Sequence, residues 1–487
     1  MKKKIIGWIS LVLTIVMLCS VLSGCGKDNT ATEEGVPTIV WCMPGKAQAD
    51  VGMVVEKANA IIEPEIGAKL ELRFIDDGAY QEKIRMFMAS NADFDMCFVG
   101  YCNPYADAVK REGLLPIGDL LKKNAPDIMA EMPEYIWQST KYNGEIYAIP
   151  NLQTMAAPNG FMVQADYIKE SGFDISTINK MDDMEAFFEK IKPLADRDNK
   201  FVYRGKPGVV AWLYKFCEFI PGVPENCLAI RKDGKSTEIM KSFTLPEYKA
   251  ALKKIRSWYE KGYIRPDIST VGNDDADFKQ LKYIVSQTTA KPGAAESLSA
   301  QYNSEFEVFS FNPEYFSIGS ANLTMTGLSI NTKHAEKCLQ LLNLVNKNDE
   351  LYNLLCYGIE GVHYKLNEEG KVTYLDGGYR PRKAWAFGNQ YHALLEEGQQ
   401  DDVWDVTEEQ NNRAIKSPLL GFNLNQQEVV NEVSQIQSIY QKYGPMFVGA
   451  VNPDDYYDSF IKELEEAGYS RLQEKVQAQV DAFLKNK

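Results

Sequence analysis

The sequence predicts an α/β protein built as two lobes, and three observations carry that expectation. Short apolar runs and helical apolar stripes alternate between Thr38 and Val99, and a second alternating series opens at Phe161. The chain of 487 residues is also too long for one core at roughly 100 to 200 residues per domain. Short links within the first series imply a parallel sheet with right-handed crossovers.

The elements follow in order. Lys2, Lys3 and Lys4 head a mostly apolar run over residues 5–22, closed by Leu22-Ser23-Gly24-Cys25. This is the pattern of an export signal over residues 1–24, the alternative being an uncleaved membrane helix, since ~18 apolar residues approach the spanning threshold. The closing four residues resemble a bacterial lipobox, which implies cleavage after Gly24 and a diacylated, palmitate-bearing Cys25. Residues 25–37 then read as lipid anchor and polar linker.

Ile39-Val40-Trp41-Cys42 is a buried strand, and Val51, Val54, Val55, Ala58 and Ile62 form a helical stripe that Pro64 stops. Leu70, Leu72 and Phe74 alternate as a second strand; Tyr80, Ile84, Phe87 and Met88 stripe a second helix; residues 96–99 form a third strand. Ligands bind beyond the carboxyl ends of such strands, here residues 43–46, 75–78 and 100–105. Residues 145–150 lead out of this unit. The second unit places a strand at Ile284-Val285 whose end is residues 287–293, and a long helix with Tyr248, Leu252, Ile255 and Tyr259 on one face. Two late stripes, Val429, Val433, Ile436, Tyr440, Tyr443 and Tyr469, Leu472, Val476, Val480, Phe483, predict C-terminal helices packed on the second lobe.

A hydrophobic fraction of 45% and a charged fraction of 25% are those of a globular chain. Sixty-seven acidic residues against 53 basic ones argue against an extended nucleic-acid or anionic-lipid surface. Past Cys19 and Cys25, seven cysteines remain, an odd number without C-x-x-C spacing. They read as small buried hydrophobes, with a Cys217–Cys227 bridge as the alternative. No nucleophile elbow, phosphate loop, zinc motif or dinucleotide fingerprint is present, and three histidines are too scattered for a metal site, so neither metal nor cofactor is expected. Paired glycosidase carboxylates leave no spacing signature, which keeps a glycan-active enzyme as an alternative.

Aromatic residues give the stronger signal. Trp41, Tyr101, Tyr105, Trp212, Tyr214 and Trp385 fall at strand ends or in turn-rich stretches rather than in helical stripes. Flat rings cover the C–H faces of a pyranose while amides and carboxylates bind its hydroxyls, so this grouping suits a sugar.

Asp93-Phe94-Asp95-Met96 before Gly100, Gly113-Leu114-Leu115-Pro116-Ile117 before a helix, residues 354–364, and Trp385-Ala386-Phe387-Gly388-Asn389-Gln390 together resemble extracellular solute-binding lipoproteins of ABC importers, of the sugar-binding type and a Gram-positive subgroup. Read from the residues alone, 357–364 is a helix cap at Gly358 leading into a hairpin that turns at 367–370. The resemblance implies a periplasmic-binding-protein-like fold (type II) with hinge strands and extra C-terminal helices. Lobe 1 would hold residues 36–150 plus 312–390, and lobe 2 residues 159–311 plus 391–487. It implies ligand contacts from Trp41 and Lys46, from Tyr101 and Asn103, from the hinge at Asn151 and Gln153, and from Trp212, Tyr214, Trp385 and Asn389. The stretch after Lys291-Pro292 lacks a tryptophan that some relatives carry. The implied function is capture of a carbohydrate, as an oligosaccharide, in an interlobe cleft and its delivery to the permease. The chain would act as a monomer at the outer face of the cell membrane, held only by its lipid anchor and without nucleic acid. The alternative is a binder of peptides or other small solutes.

Overall fold

The computed structural model describes residues 35–206 and 208–487, so the expected signal, Cys25 and nearly all of the linker lie outside it. Among the described residues no helix is long and apolar enough to cross a membrane.

The first sheet is built on β1 (Thr38–Pro44), which pairs in parallel with β2 (Lys69–Ile75) on one side and β3 (Met96–Gly100) on the other. The Thr324–Leu328 strand joins β3 antiparallel and carries β4 (Ala148–Pro150) on its far edge. Strand β1 is central and covered on both faces, which is why its sequence is one continuous apolar run. Strand β2 is an edge, and it alternates buried Leu70 and Leu72 with Glu71 and Arg73, charges that discourage further pairing.

Helix Val51–Ile66 buries Val54, Ala58 and Ile62 and runs past Pro64, correcting the expected stop. In the last turn Pro64 removes one donor only, and Gly67, left-handed at φ 62°, ends the helix by donating to Glu63. Helix Asp77–Ala89 buries Tyr80 and Ile84. The Tyr80 hydroxyl lies 2.9 Å from the Cys42 carbonyl and 3.1 Å from that of Phe98, which fixes the helix across the ends of β1 and β3. At Gly100 a Cβ would stand 2.0 Å from the Leu323 carbonyl oxygen, so only glycine allows the close backbone approach that presents Tyr101.

The second sheet contains β5 (Asn159–Gln164) between the antiparallel strands Phe306–Phe309 and Tyr283–Thr289, the latter parallel to β6 (Phe201–Tyr203). Helices Met184–Arg197 and Pro246–Glu260 cover it with Phe187, Phe188, Ile255 and Trp258. A small antiparallel sheet, Cys217–Phe219, Leu228–Arg231 and Met240–Lys241, was not visible in the sequence because its strands are too short to show a period. It packs on helices Val430–Lys442, Pro453–Glu466 and Tyr469–Asn486 through Ile436, Phe460, Leu472 and Val476. The two late stripes therefore face the second lobe. All seven described cysteines are free, and Cys217 and Cys227 are each buried without a bridge.

The chain passes between the sheets in adjacent segments. Tyr315 donates its backbone N–H to Ala156 at 3.2 Å, and Ile415 donates to Glu314 at 3.2 Å. Tyr315–Phe316 and Ile415–Lys416 thus form a parallel pair at the crossing. Asn411 fastens this hinge: its Oδ1 accepts from the N–H groups of Met155 and Ala156 at 2.9 and 3.0 Å, and its Nδ2 donates to Gln153 at 2.7 Å. Ala393 and Ala414 belong to the core of the first sheet, with Tyr391 and Trp404 packed against it. Helix Val403–Arg413 lies beside the hinge and buttresses it through Asn411. Gly358 does cap helix Asp349–Tyr357, and Tyr364–Leu366 pairs with Val372–Tyr374 as a hairpin.

Candidate functional site

The carboxyl end of β3, the hinge and the end of the Tyr283–Thr289 strand converge on a cleft of about 590 Å³ between the two sheets. One wall carries Tyr101, Leu323 and Trp385, and the other carries Lys232, Thr289 and Lys291. Gln153 and Tyr315 line the hinge between them.

Tyr101 is half exposed and meets Trp385 edge to face, with ring centroids 5.8 Å apart and planes at 61°. Both rings rest on buried Phe98, at 5.6 and 6.0 Å. Polar groups hold the pair in place: the Tyr101 hydroxyl donates to Asp77 at 2.6 Å, and the Lys383 ammonium donates to Asp77 and to the Tyr101 oxygen, each at 3.1 Å. The same ammonium stands 5.3 Å from the Trp385 ring centre. Burial works against the Asp77 charge, yet the bonds from Tyr101 and Lys383 outweigh it and hold the carboxyl below its ordinary range.

At the hinge, Tyr315 donates its hydroxyl to buried Glu218 at 2.7 Å, and Glu218 also accepts the Ile318 N–H at 2.7 Å. Burial raises the Glu218 pKa. Lys232 donates to the Tyr214 carbonyl at 3.0 Å and stands 5.3 Å from the Tyr315 ring centre. Burial lowers its pKa and that of Lys291, which reaches solvent in the cleft but is crowded by protein around it. Thr324 lines the same cleft with a hydroxyl that has no partner among the described residues. Among those residues no group of three or more His, Cys, Asp or Glu could hold a metal ion.

The structure brings three of the expected ligand residues together here: Tyr101, Gln153 and Trp385. Others are engaged elsewhere. Trp41 is fully buried, edge to face with Phe387 at 5.6 Å, because a central strand has no solvent face on which a ring could project. Asn103 closes the turn after β3 by donating to the Phe98 carbonyl at 3.3 Å, and buried Asn151 donates to the Ala386 carbonyl at 3.1 Å. Asn389 is buried and caps the Tyr391 N–H at 3.0 Å. Trp212 packs on Trp258 at 4.8 Å and donates to Asp182, while Tyr214 packs on Phe219. Lys46 is exposed on the turn after β1, outside the cleft lining. Tyr105 is buried and donates to the Thr140 carbonyl at 2.7 Å.

Sequence reasoning missed Lys232, Tyr315 and Leu323, which sit in hairpin and crossing segments without periodicity. Lys291 lies inside the strand end that the sequence located, but no pattern marked the residue itself.

A family model described as bacterial extracellular solute-binding protein matches residues 61–356, and one described as a domain of unknown function, DUF3502, matches residues 418–485. A Streptococcus pneumoniae protein named carbohydrate ABC transporter substrate-binding protein is 28% identical, over 97% of either chain. The crystal structure of the N-glycan transport solute binding protein NgtS from Streptococcus pneumoniae is similar with a TM-score of 0.80 and 25% identity, covering 92% of this chain and 99% of that one. The same protein in complex with Man5GlcNAc gives a TM-score of 0.69 at 26% identity, covering 93% of this chain and 99% of that one.

Proposed function

The chain belongs to the bacterial extracellular solute-binding protein family, and from that premise we propose that it captures an oligosaccharide in the cleft between its two sheets and delivers it to the permease of an ABC importer. The observation that carries this reading is the pair Tyr101 and Trp385, held as a fixed apolar wall opposite hydroxyl and ammonium groups of the other lobe. Rings cover C–H faces and the polar groups meet hydroxyls, the division of labour a pyranose requires. The carbohydrate in the name of the pneumococcal relative, and the glycan in one of the solved structures, support this choice over peptides or other solutes.

In this reading the first crossing at residues 151–158 and its neighbours Tyr315 and Asn411 form the hinge, and Cys25 carries the lipid that keeps the protein outside the membrane as a monomer. Ligand can close the lobes only through contacts that it makes better in the closed form, so both walls must touch it.

A thermal-shift screen over neutral and acidic oligosaccharides, peptides and polyols tests the proposal. A saccharide at a hundredfold excess over its dissociation constant stabilises the fold by roughly 2.7 kcal/mol, and chromatography should return it intact. A shift with peptides alone would leave a binder but remove the sugar, and cleavage of the glycan would overturn the reading.

A further inference from the structure

The interlobe cleft differs in charge from the rest of the molecule. The whole chain holds 67 acidic and 53 basic residues, yet the cleft lining contains two lysines and no carboxylate. Resting on the oligosaccharide reading above, we propose that the cleft takes a saccharide bearing an anionic substituent, a uronate carboxylate or an ester-linked phosphate, which Lys291 binds directly and Lys232 supports.

Lys291 makes no ion pair within 4.0 Å and no side-chain hydrogen bond among the described residues. The acids around it are engaged elsewhere: Glu396 accepts the Tyr374 hydroxyl at 3.0 Å, Glu314 pairs with Arg413 at 2.7 Å, and Glu296 accepts from Gln400 at 3.3 Å. Lys232 has one protein acceptor, the Tyr214 carbonyl, and its ammonium stands 5.3 Å from the Tyr315 ring centre. Glu218, beneath Tyr315, receives the Tyr315 hydroxyl and the Ile318 N–H and acts on Lys232 as a nearby charge, so the support from Lys232 is secondary to Lys291.

An ammonium without a protein acceptor is free to take an anion, and a charge-assisted bond to an anion is stronger than one to a neutral hydroxyl. The third lysine near the cleft, Lys383, supplies an internal contrast. It is paired with Asp77 and holds the aromatic wall, so it has no charge to offer a ligand. A neutral pyranose offers Lys291 only hydroxyl acceptors, which leave its charge uncompensated.

Calorimetry on the full mature chain at low salt, with trigalacturonate, its methyl ester, mannotriose and a mannotriose 6-phosphate, separates these cases. Either anionic sugar should bind at least about tenfold more tightly than its neutral counterpart, a gap that shrinks as salt rises. Which of the two gains more identifies the anion. Lys291→Met should abolish the gap, while Lys291→Arg should retain it. Equal binding of charged and neutral sugars, or a gap that survives Lys291→Met, overturns the proposal and leaves oligosaccharide capture standing. Absence of binding by these sugars and by Man5GlcNAc overturns both.

Discussion

Tyr101 and Trp385 meet edge to face at 5.8 Å although one follows the third strand of the first sheet and the other lies in the 3-10 turn Ala384–Ala386 far along the chain. Their contact depends on backbone placement. Gly100 lets β3 approach Leu323 and turn Tyr101 outward, and Lys383 and Asp77 hold both rings from the side. A wall built in this way is rigid before ligand arrives, so little ordering cost falls on binding.

The rings outside the cleft should behave differently from this wall. Trp41→Ala should cost about 3–5 kcal/mol of stability, since the indole is fully buried against Phe387. Trp212→Ala, which removes packing on Trp258 and the bond to Asp182, should also lower the melting temperature. Neither change should weaken glycan affinity in the folded fraction, as calorimetry with denaturation curves would show. A large affinity loss in Trp212→Ala at unchanged stability would return that ring to the site.

Asn411 should control the hinge. Its replacement by alanine leaves the Met155 and Ala156 N–H groups without their acceptor, at about 1–3 kcal/mol for each buried donor that water cannot reach. Hydrogen exchange should therefore quicken at residues 153–156 in Asn411→Ala while the helices of the second lobe keep their protection. Uniform loss of protection would show a global rather than a hinge effect.

Acid should loosen the C-terminal helices through Glu432. This buried carboxylate accepts from Lys475 at 2.9 Å and Arg471 at 2.6 Å across helices Val430–Lys442 and Tyr469–Asn486. The bond from Lys475 leads, burial opposes it, Arg471 adds to it, and the pKa falls to about 2. A depressed carboxylate contributes stability that is present above the unfolded value near ~4.3 and is lost as pH falls through about 2. One oxygen without a partner reduces the gain, so Glu432→Gln should cost on the order of 1–3 kcal/mol at pH 7 and flatten the acid limb of the stability curve. An unchanged acid limb would contradict this.

Much of the fold was legible because period and burial agree: the apolar run of β1, the alternation of β2 and the late stripes each match the surroundings they meet. The strand-end rule located Tyr101 and the segment of Lys291. It could not tell a ring on a strand from one beyond it, and so Trp41 was expected at the site. Lys232 and Tyr315 owe their place to long-range pairings, such as Tyr315 with Ile415 and Cys217 with Arg231, that no local pattern encodes. Asparagines were read as ligand contacts where they satisfy backbone groups instead, because Asn103, Asn151 and Asn389 serve turns and crossings whose geometry appears only on folding.

The most direct test of sugar capture by this wall is the calorimetric affinity of Trp385→Ala for the oligosaccharide that gives the largest thermal shift with the parent protein. Trp385 is partly exposed and packs on Phe98 and Tyr101, so its loss should leave the melting temperature nearly unchanged. Binding should weaken at least about tenfold, the loss of roughly 1.4 kcal/mol or more expected of an anchor ring. Undiminished affinity in a folded Trp385→Ala protein would contradict it.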